Sequence, residues 1–329
     1  MEKLTVGQLF DRAMDWLRKH LTSLIIFNLG YYVVAFIVLY IFLLIFTIAT
    51  IATSSVSSFG FGIGTKLMIA VLVIFVHAVV LNGKVGIAKI ASSELTLKTV
   101  KASEAIGSTF KHTFKTIGLV TVMDLPLIVV LWVFAEQLIS GNLIEEISLW
   151  VEVFIASFND TFFGTVVFAI ALTLGILLLN LLMAAYLVWF TFAIYEMCLE
   201  NQSIKGAIKR SFKLVKVRYK SIYLITILIL LTQMTIQYGI NGIGQGANLI
   251  SQFAGEILPL DQLIGLQAIV GLSLIIGFVA NFISGTFGAL ASLSLYWQVR
   301  VTHDGYDLSY EAKKLQIQLK KGATNEQVL

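Results

Sequence analysis

Residues 21–52 read LTSLIIFNLGYYVVAFIVLYIFLLIFTIATIA, an apolar run that contains no charged side chain. Crossing the hydrocarbon layer of a bilayer, which is ~30 Å thick, takes about 20 helical residues. Inside lipid the backbone amides have to be hydrogen-bonded within their own segment, so this run predicts a transmembrane helix. Five further runs cover residues 67–90, 117–135, 162–198, 222–236 and 263–299, and Gln233 and Gln237 interrupt the fifth.

The composition of the whole chain points the same way. Hydrophobic residues make up 58% of the 329 residues and charged residues only 13%, whereas soluble domains carry ~25% charged residues. The ~10-residue alternating segments of a transmembrane β-barrel are absent from the sequence. The predicted fold is therefore all-α, a polytopic membrane helix bundle of about six transmembrane helices, with one membrane domain over residues 1–329.

Basic residues are distributed unequally around the predicted spans. All of the 23 Lys and Arg residues except Lys66 lie before the first span, in the second and fourth connections or the span ends beside them, or at the C-terminal end. Cytoplasmic loops retain Lys and Arg, so both termini are predicted to be cytoplasmic. The opposite connections carry the acids Glu136, Glu145, Glu146, Glu152, Asp160, Glu256 and Asp261.

A threefold internal repeat is predicted, with approximate units 1–96, 97–200 and 201–308 and a cytoplasmic tail over 309–329. Each unit would be a helical hairpin preceded by a basic amphipathic interfacial helix, although hairpin proteins can show such a rhythm by chance. Residues spaced by four and three lie on one helical face. The three openings place on that face Phe10, Met14 and Leu17; Ile106, Phe110 and Thr113; and Ile208, Phe212 and Val215.

Polar residues at membrane depth form a candidate intramembrane site, because burying them costs free energy. Asp124 lies inside the third predicted span, just before Pro126, where the helix is expected to kink. It could contact an ion, a proton or a substrate, or make a structural hydrogen bond. His77 in the second span could titrate or simply pack. Asn180 and Asn281 can hydrogen-bond between helices.

The most basic segment, residues 204–220, is a candidate helix for anionic lipid at the cytoplasmic leaflet. Ile204, Ile208, Phe212 and Val215 form an apolar stripe on it. Near an anionic surface each basic residue adds ~1 kcal/mol of attraction. The alternative is that these charges only set topology. The candidate lipid contacts are Lys205, Lys209, Arg210, Lys213, Lys216, Arg218 and Lys220.

Another amphipathic helix is predicted on the outer surface over residues 142–160, anchored by Trp150.

The sequence lacks the common catalytic motifs. The four histidines are far apart, so they lack the spacing of a zinc protease, and no phosphate-binding loop or nucleophile elbow occurs. The sequence predicts no catalytic residue, no cofactor and no metal site.

Short motifs near both ends of the chain, and one in its interior, resemble a bacterial family, the glycerophosphoryl diester phosphodiesterase membrane domain. They are LTVGQLFD at 4–11, RKH at 18–20, AIKRSF at 207–212, LYWQVR at 295–300 and DGYDL at 304–308. The resemblance implies a six-helix module of the bacterial cytoplasmic membrane, sometimes fused to a phosphodiesterase barrel. A (β/α)₈ barrel takes ~250 residues, and the residues after Leu308 are too few for one. Diesterase activity is therefore not expected.

These observations predict a non-catalytic integral membrane module of the cell envelope that associates with lipid or with a partner protein. The expected partners are membrane lipids, with anionic headgroups at the cytoplasmic face, and a protein partner or a second copy of the chain, but no nucleic acid. The alternative is a transporter or channel for a small solute or lipid that uses the intramembrane polar residues.

Overall fold

The structure, a computed structural model, describes residues 5–54, 61–92, 100–139, 162–257 and 262–304. Over these residues it is helical almost throughout and contains no strand. The predicted outer-surface helix over 142–160 and the tail over 309–329 lie outside the described residues. The helices are α1 (Val6–Lys19), α2 (Leu21–Ser54), α3 (Phe61–Ala91), α4 (Ala102–Ile139), α5 (Phe162–Leu187), α6 (Ala193–Leu199), α7 (Ile204–Val217), α8 (Tyr219–Ile257) and α9 (Gln262–Asp304).

Six helical stretches are long and apolar enough to cross a membrane, which confirms the predicted fold class. Their bounds differ from those of the predicted runs. The stretches are Leu21–Ile45, Ile69–Ala91, Ala102–Val129, Leu181–Leu199, Tyr219–Ile240 and Ile276–Asp304.

Two predicted runs differ from the helices. The fourth run, 162–198, was expected to be one span, but its helix gives way to a 3₁₀ turn at Val188–Phe190 before α6 begins. The fifth run was predicted to end at residue 236, but α8 continues to Ile257. The two glutamines that interrupt its hydropathy, Gln233 and Gln237, hydrogen-bond to α9 and thus support the helix.

Helix α4 continues through Pro126, and the kink predicted at this residue stays a prediction. The helix is unbroken from Ala102 to Ile139 with the proline inside it. Proline removes one backbone donor and crowds the preceding turn. In a membrane helix, neighbouring helices can compensate for that loss.

The core joins α1, α3, α4, α6 and α7 to α9 through a continuous cluster of buried apolar side chains. Close packing of α2 on α3 depends on Gly86, because a Cβ atom at that position would overlap the ring of Phe27. The buried Phe27 ring stacks on Tyr31, whose hydroxyl donates a 2.8 Å hydrogen bond to the carbonyl of Val79 on α3. The opposite sides of the span helices expose large apolar residues, which suits a lipid environment.

The three predicted repeat openings share a burial pattern. In each opening, three buried residues lie one position before the three residues of the predicted stripe and have the same spacing of four and three. The middle one of the three is a small residue. The buried residues are Leu9, Ala13 and Trp16; Ala105, Thr109 and His112; and Ala207, Ser211 and Leu214. The first and third openings are separate helices, α1 and α7, whereas the second is the start of α4. The repeat itself stays a prediction.

Candidate functional site

Helix α7 is built to present one basic face. Ser203 caps its N-terminus by accepting a 3.2 Å hydrogen bond from the amide of Gly206. The buried face carries the small residues Ala207 and Ser211, so the helix can approach its neighbours closely. The hydroxyl of Ser211 donates a 2.7 Å hydrogen bond to the carbonyl of Trp189. The lysines therefore lie on the opposite, exposed side.

The acceptor of that bond lies in the short segment between α5 and α6, where the α-helix is interrupted. The Trp189 carbonyl, within the 3₁₀ turn at Val188–Phe190, accepts the bond from Ser211 of α7. After α6 the chain reverses at Asn201, which has a φ of 54°. Asparagine tolerates this left-handed conformation better than most residues. The reversal brings α7 back across α6.

A buried ion pair joins α6 to α9. Glu196 is 1% exposed, and its Oε1 lies 2.8 Å from Nη1 of Arg300, which is 8% exposed. The hydroxyl of Tyr296 donates a 3.2 Å hydrogen bond to the same Oε1. A buried charge is tolerated when it is paired and hydrogen-bonded, and both conditions hold for Glu196. The ion pair therefore holds α6 and α9 together.

Two more acidic groups and a second arginine extend the cluster. Arg300 Nε lies 2.8 Å from Asp304 Oδ2, and its Nη2 lies 3.5 Å from Glu200 Oε1. Arg210 of α7 donates a hydrogen bond to the same Asp304 oxygen. Because Asp304 forms ion pairs with both arginines, the cluster links α7 as well as α6 to the end of α9.

A cavity of about 780 Å³, here called the basic cavity, opens beside this cluster. Five basic and two acidic side chains line it, which leaves a net formal charge of +3. Trp189 and Phe212 add aromatic surface, with ring centroids 5.4 Å apart. The charged lining residues are Lys209, Arg210, Lys213, Lys216, Arg300, Glu196 and Glu200.

The basic cavity contains four of the seven predicted anionic-lipid contacts, Lys209, Arg210, Lys213 and Lys216. The other three are exposed and do not line it; they are Lys205, Arg218 and Lys220. None of the ion pairs between described residues involves Lys209, Lys213 or Lys216. Three lysines thus remain for a ligand, while the arginines are held by carboxylates.

Two of the predicted intramembrane residues form a pair. His77 of α3 places Nδ1 2.8 Å from both carboxylate oxygens of Asp124 on α4. Asp124 is buried and His77 is half-buried. This pair gives the carboxylate the partner that it needs at membrane depth. Neither residue lines the basic cavity or the two smaller cavities.

The other two predicted residues lie elsewhere. Asn281 on α9 accepts a 3.2 Å hydrogen bond from Gln237 on α8 and lines a separate cavity. Asn180 lies on α5, and its side chain is outside the described residues. The structure therefore brings together Asp124 and His77 among the four.

Glu196 and Glu200 were missed from the sequence as site residues. The available signal was an acid within the fourth apolar run, two residues before its end, with Arg300 just after the sixth run. Charges at corresponding ends of two spans can pair. Which of the nearby acids would meet which arginine depends on the break before α6, which hydropathy does not reveal.

Comparison of the chain with protein-family models, with curated proteins and with solved structures finds no match. The resemblance to the glycerophosphoryl diester phosphodiesterase membrane domain stays a prediction.

Replacing Glu196 by Gln is expected to lower the free energy of unfolding by about 3 kcal/mol. That is the lower end of the range for removing one partner of a buried ion pair, because Asp304 still contacts Arg300. The matched control is Glu200→Gln, whose side chain is 31% exposed and lies farther from Arg300. It should change stability by less than about 1 kcal/mol. Thermal unfolding in mild detergent measures both, and equal stability of the two variants would contradict the assigned role of Glu196.

Replacing Asp124 by Leu is expected to destabilise the bundle by about 1–3 kcal/mol, because His77 loses its hydrogen-bond partner in the span. Asp124→Asn should stay near the wild type, since the amide oxygen can still accept from His77. The double variant Asp124→Leu with His77→Leu should recover part of the loss, because neither polar group is then left unpaired. The same unfolding assay measures all three. Equal loss in Asn and Leu would mean that the charge, and not hydrogen bonding, holds the pair.

Proposed function

We propose that the chain is a non-catalytic module of the bacterial cytoplasmic membrane that associates with anionic lipid through the basic cavity. The observation that carries the proposal is the net charge of +3 on a cavity of about 780 Å³ at the junction of α6, α7 and α9. Ligand sites typically have volumes of about 300–1,000 Å³, so the space suits a phospholipid headgroup.

The three lysines supply the attraction. Lys209, Lys213 and Lys216 lie on one exposed face of α7, at spacings of four and three residues. Flexible ammonium groups bind phosphate as point charges, and the hydrogen bonds they make to phosphate are about twice as strong as neutral ones. Because these lysines have no carboxylate partner among the described ion pairs, a phosphate does not have to displace one.

The aromatic side chains favour a lipid over a soluble phosphate. Trp189 stacks on Tyr219 with ring centroids 5.1 Å apart, and Tyr219 stacks on Tyr223. Trp and Tyr are enriched where the headgroups of a membrane lie. A headgroup at this level would meet the lysines while its acyl chains continue along the exposed apolar surface of the span.

The charge distribution along the sequence supports a cytoplasmic position for α7 and for both termini. Basic residues concentrate in the connections on that side, and the cytoplasmic leaflet is the one that carries anionic lipid. The resemblance to the phosphodiesterase membrane domain family also supports a membrane module, and membership of that family remains part of the proposal.

The alternative function is a transporter or channel that uses the His77–Asp124 pair. A buried acid beside a histidine at membrane depth favours this reading. We prefer the lipid-associated module because neither residue lines the basic cavity or either of two smaller cavities among the described residues. The basic cavity can equally dock an acidic segment of a partner protein, and the lipid experiment distinguishes that case.

Changing Lys209, Lys213 and Lys216 together to Gln should remove most of the preference for anionic lipid. Each lysine contributes ~1 kcal/mol near an anionic surface, and 1.4 kcal/mol corresponds to a factor of ten, so the loss should be about tenfold or more. The measurement is native mass spectrometry of the full-length protein in detergent, titrated with phosphatidylglycerol and with phosphatidylcholine.

The matched control changes the three predicted lysine and arginine residues outside the cavity, Lys205, Arg218 and Lys220, to Gln. It removes the same net charge and should keep most of the preference. Equal effects of the two triple variants would assign the preference to overall charge. No preference in the wild-type protein would contradict the proposed function, and it would leave an acidic protein partner as the ligand to test.

Orientation can be measured by cysteine labelling in intact cells. A cysteine at residue 58, 142 or 246 should react with an impermeant maleimide from outside, because these positions follow the odd-numbered spans. A cysteine at residue 98, 203 or 324 should react only after the membrane is made permeable. The native Cys198 is buried, so it contributes little background. Labelling of residue 203 in intact cells would reverse the proposed topology.

A further inference from the structure

A second cavity, of about 580 Å³, lies between α2, α3, α8 and α9. We call it the amide cavity. Its hydrogen-bonding side chains, here called the polar wall, are Asn28, Tyr32, Gln233, Gln237, Asn281 and Ser284. Its apolar side chains, here called the apolar wall, include Leu230, Met234, Phe278 and Phe282. None of its lining residues is charged, in contrast to the basic cavity.

The polar wall has unused acceptor atoms. Asn28 donates through Nδ2 to the carbonyl of Leu24 at 2.8 Å, and Gln233 donates through Nε2 to the carbonyl of Ser284 at 3.0 Å. Gln237 donates through Nε2 to Asn281. Their side-chain carbonyl oxygens have no hydrogen-bond partner among the described residues, and neither has the hydroxyl of Tyr32. The site thus contains three acceptors that need O–H or N–H donors.

Position in the bundle makes these acceptors costly to leave empty. All six polar residues lie inside the span stretches of α2, α8 and α9. Asn281 is exposed, and so are Tyr32, Leu230 and Phe278 beside it. In a membrane this exposed surface faces acyl chains, which cannot hydrogen-bond. An unpaired amide in such an environment costs free energy, so a lipid that supplies donors would be stabilised there.

Gly288 indicates that the amide arrangement is specific. A Cβ atom at Gly288 would overlap the amide group of Gln233, so the absence of a side chain lets this amide lie against α9. Gly285, one turn earlier and also in the lining, has no atom near its would-be Cβ atom. The glycine at 288 therefore makes room for a polar side chain, while the glycine at 285 leaves open space in the cavity.

We propose that the amide cavity binds an uncharged membrane lipid with a free hydroxyl group, of the diacylglycerol type. The hydroxyl donates to an amide oxygen, and the ester carbonyls accept from the remaining amide N–H groups. The apolar wall contacts the acyl chains. A phosphate headgroup does not fit this chemistry, because the lining offers no cation to balance its charge. The proposal is independent of lipid binding in the basic cavity.

The test is photo-crosslinking of the full-length protein in nanodiscs of neutral lipid. One probe is a diacylglycerol with a diazirine in its acyl chain, and the second is the same molecule with its free hydroxyl methylated. The wild-type protein should be labelled on α8 and α9 by the first probe. Labelling by the methylated probe should be about fivefold weaker, as expected from the loss of one hydrogen bond.

Substitution of the polar wall gives the second measurement. Gln237→Leu should lower labelling by the hydroxyl probe about fivefold and bring the two probes to the same level. The matched control is Thr235→Leu on the same helix, whose exposed hydroxyl bonds only to the carbonyl of Leu231 and which does not line the cavity. It should be labelled like the wild type.

Equal labelling of the wild-type protein by the two probes would overturn the proposal, and that result does not depend on how any variant folds. Labelling that maps away from α8 and α9 would also overturn it. The triple variant Lys209→Gln, Lys213→Gln and Lys216→Gln should be labelled by the hydroxyl probe as strongly as the wild type. Failure of the basic cavity to bind anionic lipid is thereby separated from failure of this second site.

Discussion

The ion pair between Glu196 and Arg300 is the interaction on which the candidate site depends. It joins α6 to α9, and the Asp304 carboxylate next to it also engages Arg210 of α7. Three helices thus meet at charges that would be unfavourable to bury singly. The same cluster sets the charge of the cavity beside it, because its carboxylates are already engaged by the two arginines. The lysines of α7 then stay positive and unpaired in the lining.

Several polar side chains within the spans hydrogen-bond to polar side chains of a neighbouring helix. The histidine at 77 contacts the carboxylate at 124, and Asn82 on α3 hydrogen-bonds with both Thr113 and Thr116 on α4. Without these contacts the polar atoms would lack hydrogen-bond partners in the hydrocarbon region. They also tie α3 to α4, which is one of the most extensive helix contacts in the bundle. Most of this polarity is therefore explained as structure. The amide cavity is different, since several of its oxygen atoms have no hydrogen-bond partner in the part of the chain that the structure describes.

The fold class and the positions of the spans could be predicted from the sequence, because hydrophobic run length reports directly on the ability to cross a bilayer. The Asp124 and His77 side chains could be selected as intramembrane candidates, but their pairing depends on the register of α3 against α4. Four cavity residues on α7 could be named from its basic spacing. The acidic half of the site could not, because Glu196 reaches α9 only through the 3₁₀ turn at Val188–Phe190. No periodicity in an apolar run marks such a turn. The extension of α8 beyond residue 236 was missed for a related reason, since interhelical hydrogen bonds at Gln233 and Gln237 override a fall in hydropathy.

The two cavities differ in the charge of their lining, and their different depths in the membrane account for this difference. Where the lining meets headgroups and water, lysines keep their charge at little cost, so a cavity there can select an anion. Where the lining meets acyl chains, a lysine would have to be neutralised or paired, and neutral amides are the polar groups that can remain. A bundle with cations in one cavity and only amides in the other is therefore suited to two lipids that differ in headgroup charge. Helix α9 contributes to both cavities, through Arg300 at one end and through Asn281 and Ser284 at membrane depth. The lining that α9 contributes therefore changes along the helix, from a charged residue at one end to uncharged polar residues at membrane depth.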